Sequence, residues 1–186
     1  FSDFFNSSSQ IEIKGAVKSY EIIGERMYCL DSLSVVYEVI INAKVIKYNK
    51  MSDPRFTASV EGIKSVYESN SKLEFSLKST QSSFLTIFNI TDNEAYVLYP
   101  NSYEMPFELD KLKDYHFPMG ELKYELTNTS KVVETNRLIF VFTKKPMVYI
   151  KMNSEQVTTI DEVFSWIYSI SPDQRALEYH SYFVSN

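Results

Sequence analysis

Two histidines and a single cysteine are the side chains in this sequence most able to do chemistry, so their surroundings set the first limits. His116 sits in Asp114-Tyr115-His116-Phe117-Pro118, where a loop histidine is expected to pair with a carboxylate. With a serine or acid close by it would be the general base of a hydrolase, which is the least favoured functional reading of the chain. His180 alternates with aromatic neighbours and reads as an exposed strand residue. The sequence has no G-x-S-x-G elbow, no H-E-x-x-H and no P-loop, and its four glycines leave little from which to build a phosphate cradle. Cys29 stands alone, which excludes both an intramolecular disulfide and a cysteine-rich zinc site. Asp92, Asn93 and Glu94 cluster, but without the ordered oxygen spacing and central glycine of a calcium loop; they read as a hairpin tip. The expectation is a noncatalytic protein with no cofactor and no metal.

Tyrosine gives the positive hint. Of 14 tyrosines, Tyr96, Tyr99, Tyr103, Tyr115, Tyr124 and Tyr149 lie in or near the second of the two units that the chain's segments suggest. Amphipathic rings at a surface bury area with few rotors to freeze, so they suit protein and glycan contacts. Tyr96, Tyr103 and Tyr115, with His116, are therefore the expected binding surface. A net charge of −5 with no Lys/Arg-rich run argues against nucleic acid and against an anionic membrane surface. No window approaches the run of about 18 apolar residues needed for a spanning helix, since Glu38, Asn42 and Lys44 interrupt the richest stretch, Val35 to Ile46.

The elements that must position these residues are mostly strands. Aromatic and β-branched residues pack well on a pleated surface, and the chain is rich in both. Val35, Tyr37, Val39, Ile41, Ala43 and Val45 alternate with a second set, Val36 to Ile46, giving one continuous apolar side; residues 15–48 are predicted to form a long β-hairpin reversing at Leu30-Asp31-Ser32-Leu33. Residues 1–50 thus form a hairpin segment, 51–55 a linker marked by Pro54, and 56–186 a second domain. Short alternating runs at Phe56–Val60, Leu73–Leu77, Phe84–Ile90, Ala95–Tyr99, Leu138–Phe142 and Val148–Met152 fit an antiparallel β-sandwich or partly open barrel. One helix is expected after the capping box Thr159-Ile160-Asp161-Glu162, with Val163, Phe164, Trp166, Ile167 and Ile170 as an apolar stripe that packs on the sheet and uses Trp166 as an anchor. Tyr179, Tyr182, Phe183 and Val184 would close the fold as a strand.

The run Phe84 to Asn101 carries a resemblance. A strand ending in aromatic-Asn (Phe88-Asn89), a turn, and a strand ending in Leu98-Tyr99-Pro100-Asn101 resemble the hallmark of the bacterial domain of unknown function (DUF) 4384 family. Val60-Glu61-Gly62-Ile63 with Tyr67, Leu73-Glu74-Phe75, His116-Phe117-Pro118, and Asn136 to Val141 with Lys145-Pro146 extend the likeness over about residues 56–150. Glycines common in that family before the apolar-Pro pair and before the late strand are replaced here by Lys111-Leu112-Lys113 and Glu134-Thr135-Asn136. The motif residues Asn89, Leu98, Tyr99, Pro100 and Asn101 are structural: Pro100 cannot donate to a ladder and ends the strand, and Asn101 can close the turn with its side chain. The resemblance implies a periplasmic, outer-membrane-associated or secreted module that contacts another envelope protein or an upstream domain of its own polypeptide, with glycan or peptidoglycan binding as the alternative. The N-terminal hairpin is similar, more weakly, to the last strands of envelope-lipoprotein and flagellar-assembly domains. Together with a first residue that is Phe rather than Met, this suggests a preceding segment carrying the localisation signal.

Overall fold

The computed structural model describes residues 15–30, 34–91, 94–128 and 133–185, with side chains from Tyr20 onward. The chain divides into two compact units, one up to Met51 and one from Ser52. The protein is mainly β, and among the described residues no helix is long and apolar enough to cross a membrane.

The first unit holds β1 (Gly15–Cys29) and β2 (Val35–Lys47), an antiparallel pair running in register from Gly15 opposite Lys47 to Cys29 opposite Val35. The predicted hairpin is present; its turn residues 31–33 lie outside the described residues. β1 carries two bulges, between Val17 and Ser19 and between Ile22 and Gly24, whereas β2 is regular. The continuous apolar side faces solvent: Tyr37 is 59% exposed, Met27 72% and Val45 64%.

The second unit is a sandwich. Its larger layer has six strands in the order β12–β8–β7–β11–β13–β4: β12 (Val157–Thr158), β8 (Ala95–Tyr99), β7 (Phe84–Ile90), β11 (Glu134–Thr143), β13 (Arg175–Ser185) and β4 (Val66–Glu68). All neighbours are antiparallel except β13 and β4. Facing it is a three-stranded layer, β3 (Ala58–Glu61), β6 (Phe75–Ser79) and β9 (Tyr115–Phe117), beside a short pair of β5 (Ser71–Lys72) and β10 (Glu125–Leu126). Side chains alternate across the large sheet as a period of two requires. Leu85, Ile87, Leu138, Phe140, Phe142, Tyr182 and Val184 meet Val60, Phe75, Leu77 and Phe117 from the smaller layer. Phe75 stacks on Phe117 at 4.5 Å and meets Phe140 edge-on at 5.1 Å.

The opposite face of the large sheet is also buried. Phe88, Val97, Ile139 and Val141, which alternate with the residues facing the smaller layer, are buried there, and α1 (Ile160–Ser169), with Val163 and Ile167 fully buried, meets Phe88 through Trp166. Trp166 is half-buried and forms an edge-on triad with Phe88 and Tyr149, at 5.7 and 5.5 Å. The helix starts as its sequence predicts, with the Thr159 side chain accepting from the Glu162 N–H at 3.2 Å. The return half of the capping box is not made, because the Glu162 carboxylate instead accepts from the Thr158 hydroxyl at 3.1 Å.

Three further expectations change. Val148–Met152 is irregular rather than a strand: the edge position beside β8 belongs to β12, and Tyr149 turns inward while Val148 and Ile150 are exposed. His116 lies in strand β9, not in a loop, and its partner is a serine rather than a carboxylate. His180 is in a strand, but it is half-buried on the sandwich face, edge-on to Phe140 at 5.8 Å, and its Nε2 is buried without a hydrogen bond among the described residues.

Candidate functional site

The end of β8 builds the most organised polar structure in the second unit. β8 stops at Tyr99 because Pro100 follows, and Asn101 then folds the chain back on itself. Its Oδ1 accepts from the N–H groups of Tyr103 and Glu104, both at 2.9 Å, while its amide donates to the Leu98 carbonyl at 2.7 Å and to the Tyr124 hydroxyl at 2.5 Å. Tyr124 passes the chain on by donating to Glu104 Oε2 at 2.6 Å. The other oxygen, Oε1, accepts from the N–H groups of Met119 and Gly120 at 2.8 and 3.0 Å. Glu104 is buried, so these bonds replace the water that its carboxylate gave up. Burial first, and the adjacent Glu104 carboxylate second, push the Tyr124 phenol well above its usual range.

This network forms one wall of an open groove of about 300 Å³. Tyr96, Leu98, Asn101, Tyr103, Leu122, Lys123 and Tyr124 line it, with Glu155 and Gln156 at the far side. Gln156, held at a positive φ of 63°, sits in a turn where Asn153 Oδ1 accepts from the Glu155 and Val157 N–H groups at 2.9 Å. Its carbonyl accepts from the Val97 N–H at 3.0 Å. The β8 edge along the groove is thus already occupied, by the Gln156 carbonyl at Val97 and by the Asn101 amide at the Leu98 carbonyl. A ligand here meets side chains, not an open strand edge. Tyr103, among the lining residues, is 80% exposed. The Tyr96 hydroxyl donates to Glu94 at 2.7 Å, and that carboxylate raises the phenol above its ordinary range, with burial a smaller contribution.

The expected site residues separate into two groups. Tyr96 and Tyr103 share the groove with Leu98 and Asn101 of the motif. Tyr99 points into the core and donates to the Met105 carbonyl at 3.2 Å, and Asn89 donates to Asn136 Oδ1 at 2.9 Å within the sandwich. Tyr115 and His116 stand on β9 in the other layer. The Tyr115 hydroxyl bonds the backbone N–H and carboxylate of Asp110, and its ring tilts against Phe107. His116 Nδ1 lies 2.9 Å from Ser76 Oγ, a contact set by register because the two residues are direct cross-strand partners. The nearby carboxylate of Asp114 is paired instead with Lys78 at 2.7 Å. A serine and a histidine therefore meet on an exposed sheet surface, and among the described residues no acid orients the imidazole. Nor, among these residues, do three His, Cys, Asp or Glu side chains converge as a metal site needs.

Leu122, Lys123, Glu155 and Gln156 were not legible as groove residues, because nothing local distinguishes them from ordinary loop positions. Glu104 could be suspected only by noticing that it lies three residues after Asn101, within reach of an Asx-type turn. No known protein-family model matches the sequence, and no curated protein matches it.

Proposed function

We propose that the second unit is a noncatalytic binding module that makes protein–protein contact, seating an apolar side chain of its partner in the groove beside Tyr103. The observation that carries this reading is the groove itself: its wall is fixed by the hydrogen-bonded network of half-buried Asn101 and Tyr124 with buried Glu104, and its lining includes the exposed ring of Tyr103. Tyr is enriched where proteins meet, and a wall that needs no ordering on binding lowers the entropic cost of contact. The only buried carboxylate at the site among the described residues, Glu104, is fully engaged with backbone N–H groups and a phenol, which suits a scaffold role rather than proton transfer. The resemblance of residues 56–150 to the DUF 4384 family supports a partner in the bacterial envelope, or an upstream domain of the same polypeptide.

Selection of displayed random peptides on the full chain tests this. Peptides with a large aromatic or aliphatic anchor should be enriched, and Tyr103→Ala or Leu122→Asp should weaken them by about tenfold or more, the loss of one anchor side chain. No enrichment, or enrichment that both variants leave intact, would sink the proposal. A second reading, glycan or peptidoglycan binding, is favoured by the placement of Tyr96 and Tyr103 in one groove with Lys123, Glu155 and Gln156 as hydrogen-bonding rim. Binding on a glycan array or to pelleted sacculi that Tyr103→Ala abolishes would move the assignment to it.

A further inference from the structure

We infer that the hairpin associates with a second copy of itself, edge to edge along β2, to make a four-stranded antiparallel sheet centred on Ile41. This surface lies in the first unit and does not depend on the groove. An isolated two-stranded hairpin is at best marginally stable in water, and three or more strands are needed for independent stability. Among the described residues this sheet has two, and its apolar side is open to solvent.

The two edges are not equivalent. β1 is interrupted by two bulges and Gly24, devices that twist an edge away from further pairing. β2 runs for 13 residues without bulge, proline or glycine, so its outer edge is a regular row of backbone donors and acceptors. The sequence of β2 then selects both partner and register. Antiparallel self-pairing keeps the apolar side continuous only if residues of the same face oppose one another. Centred on Ile41, the midpoint of the strand, it sets Glu38 opposite Lys44 of the second copy, and by symmetry Lys44 opposite Glu38. The same register opposes Tyr37 to Val45, Val39 to Ala43 and Val36 to Ile46, favourable aromatic–β-branched and apolar pairs. Centring one residue either way opposes Lys44 to Val36, or Glu38 to Ile46, and loses both charge pairs. Glu38 already accepts from Arg26 at 2.6 Å across the hairpin, while Lys44 makes no ion pair among the described residues. Dimerisation gives Lys44 a partner and places Glu38 between two cations.

Charge exchange provides the test. By sedimentation equilibrium the full chain should be a dimer, and Glu38→Lys and Lys44→Glu should each weaken association by about tenfold or more, because each creates two like-charge oppositions. An equimolar mixture of the two single variants should dimerise, since every opposition is then Lys against Glu, and the double variant Glu38→Lys/Lys44→Glu should dimerise alone. A spin label on Cys29, the only cysteine and an exposed one, gives geometry: antiparallel pairing about Ile41 puts the two labels about 40 Å apart, and parallel pairing would hold them near 15 Å. A monomeric wild-type chain, undiminished association in both single variants, a mixture and double variant that stay monomeric, or labels near 15 Å would each overturn the inference.

Discussion

The hairpin and the sandwich are built from similar apolar alternation, yet one leaves it in solvent and the other buries it twice over. In β2, Val35, Tyr37 and Val45 are each more than half exposed. In β11, Leu138 and Phe140 meet the three-stranded layer, Ile139 and Val141 point to the opposite face, and all four are fully buried. Amphipathic alternation tells a strand which way its residues point; whether that face becomes a core depends on a second layer arriving to cover it. The sandwich obtains its layers from distant parts of the chain, β3–β6–β9 on one side and α1 with Tyr149 on the other.

If that contrast is right, equal truncations should have very unequal effects in the two units. The largest belongs to Phe140→Ala, which removes a fully buried ring from contact with Phe75 and His180 and should cost about 3–5 kcal/mol in denaturant unfolding of the sandwich. A loss below about 1 kcal/mol would mean that the two layers are not a packed core. Smaller, and dependent on pH, is the effect of Asp53→Asn. Lys144 at 2.8 Å, with the Arg55 backbone N–H next, holds the Asp53 carboxyl well below the usual carboxylate range. A depressed pKa contributes stability that is present above the unfolded value of about 3.9 and is lost as pH falls below it toward the folded value. Wild type should therefore melt above the variant at pH 7, with the gap narrowing as melts are repeated below about pH 4; a gap that stayed constant would show that the ion pair is not its source. The smallest effect is expected in the hairpin, where Met27→Ala on β1 removes a side chain that is 72% exposed and should cost less than about 1 kcal/mol in the same unfolding assay. A cost comparable to Phe140→Ala would mean that the hairpin's apolar side is buried in solution.

Much of the architecture was legible because it is local. The period of two in β2, the paired runs of β7 and β8, the stop imposed by Pro100, the turn closed by Asn101 and the helix start at Thr159 all follow from contacts within a few residues. The helix stripe likewise announced a buried face, and Val163, Ile167 and Ile170 fill it. What misled was neighbourhood across the sheet. His116 was expected to pair with a carboxylate, but β6 brought it Ser76, forty residues away, and Lys78 took Asp114. Aromatic neighbours along the strand suggested an exposed His180, whereas the alternation of β13 turns it toward Phe140, where burial lowers its pKa.

The sequence by itself determined the β-rich class, the division into strands and one helix, and the conformations of the Pro100–Asn101 and Thr159 boundaries, because backbone sterics and side-chain-to-backbone bonds over short spans fix these. Only the tertiary structure decided that Glu104 would be buried against Met119, Gly120 and Tyr124, that Tyr96 and Tyr103 would share a groove with Lys123 and Gln156 while Tyr115 and His116 went to the other layer, and that the hairpin's apolar side would stay open among the described residues. Those outcomes depend on which strands become neighbours. Register and layer stacking are settled by long-range packing, in which no single residue carries the instruction.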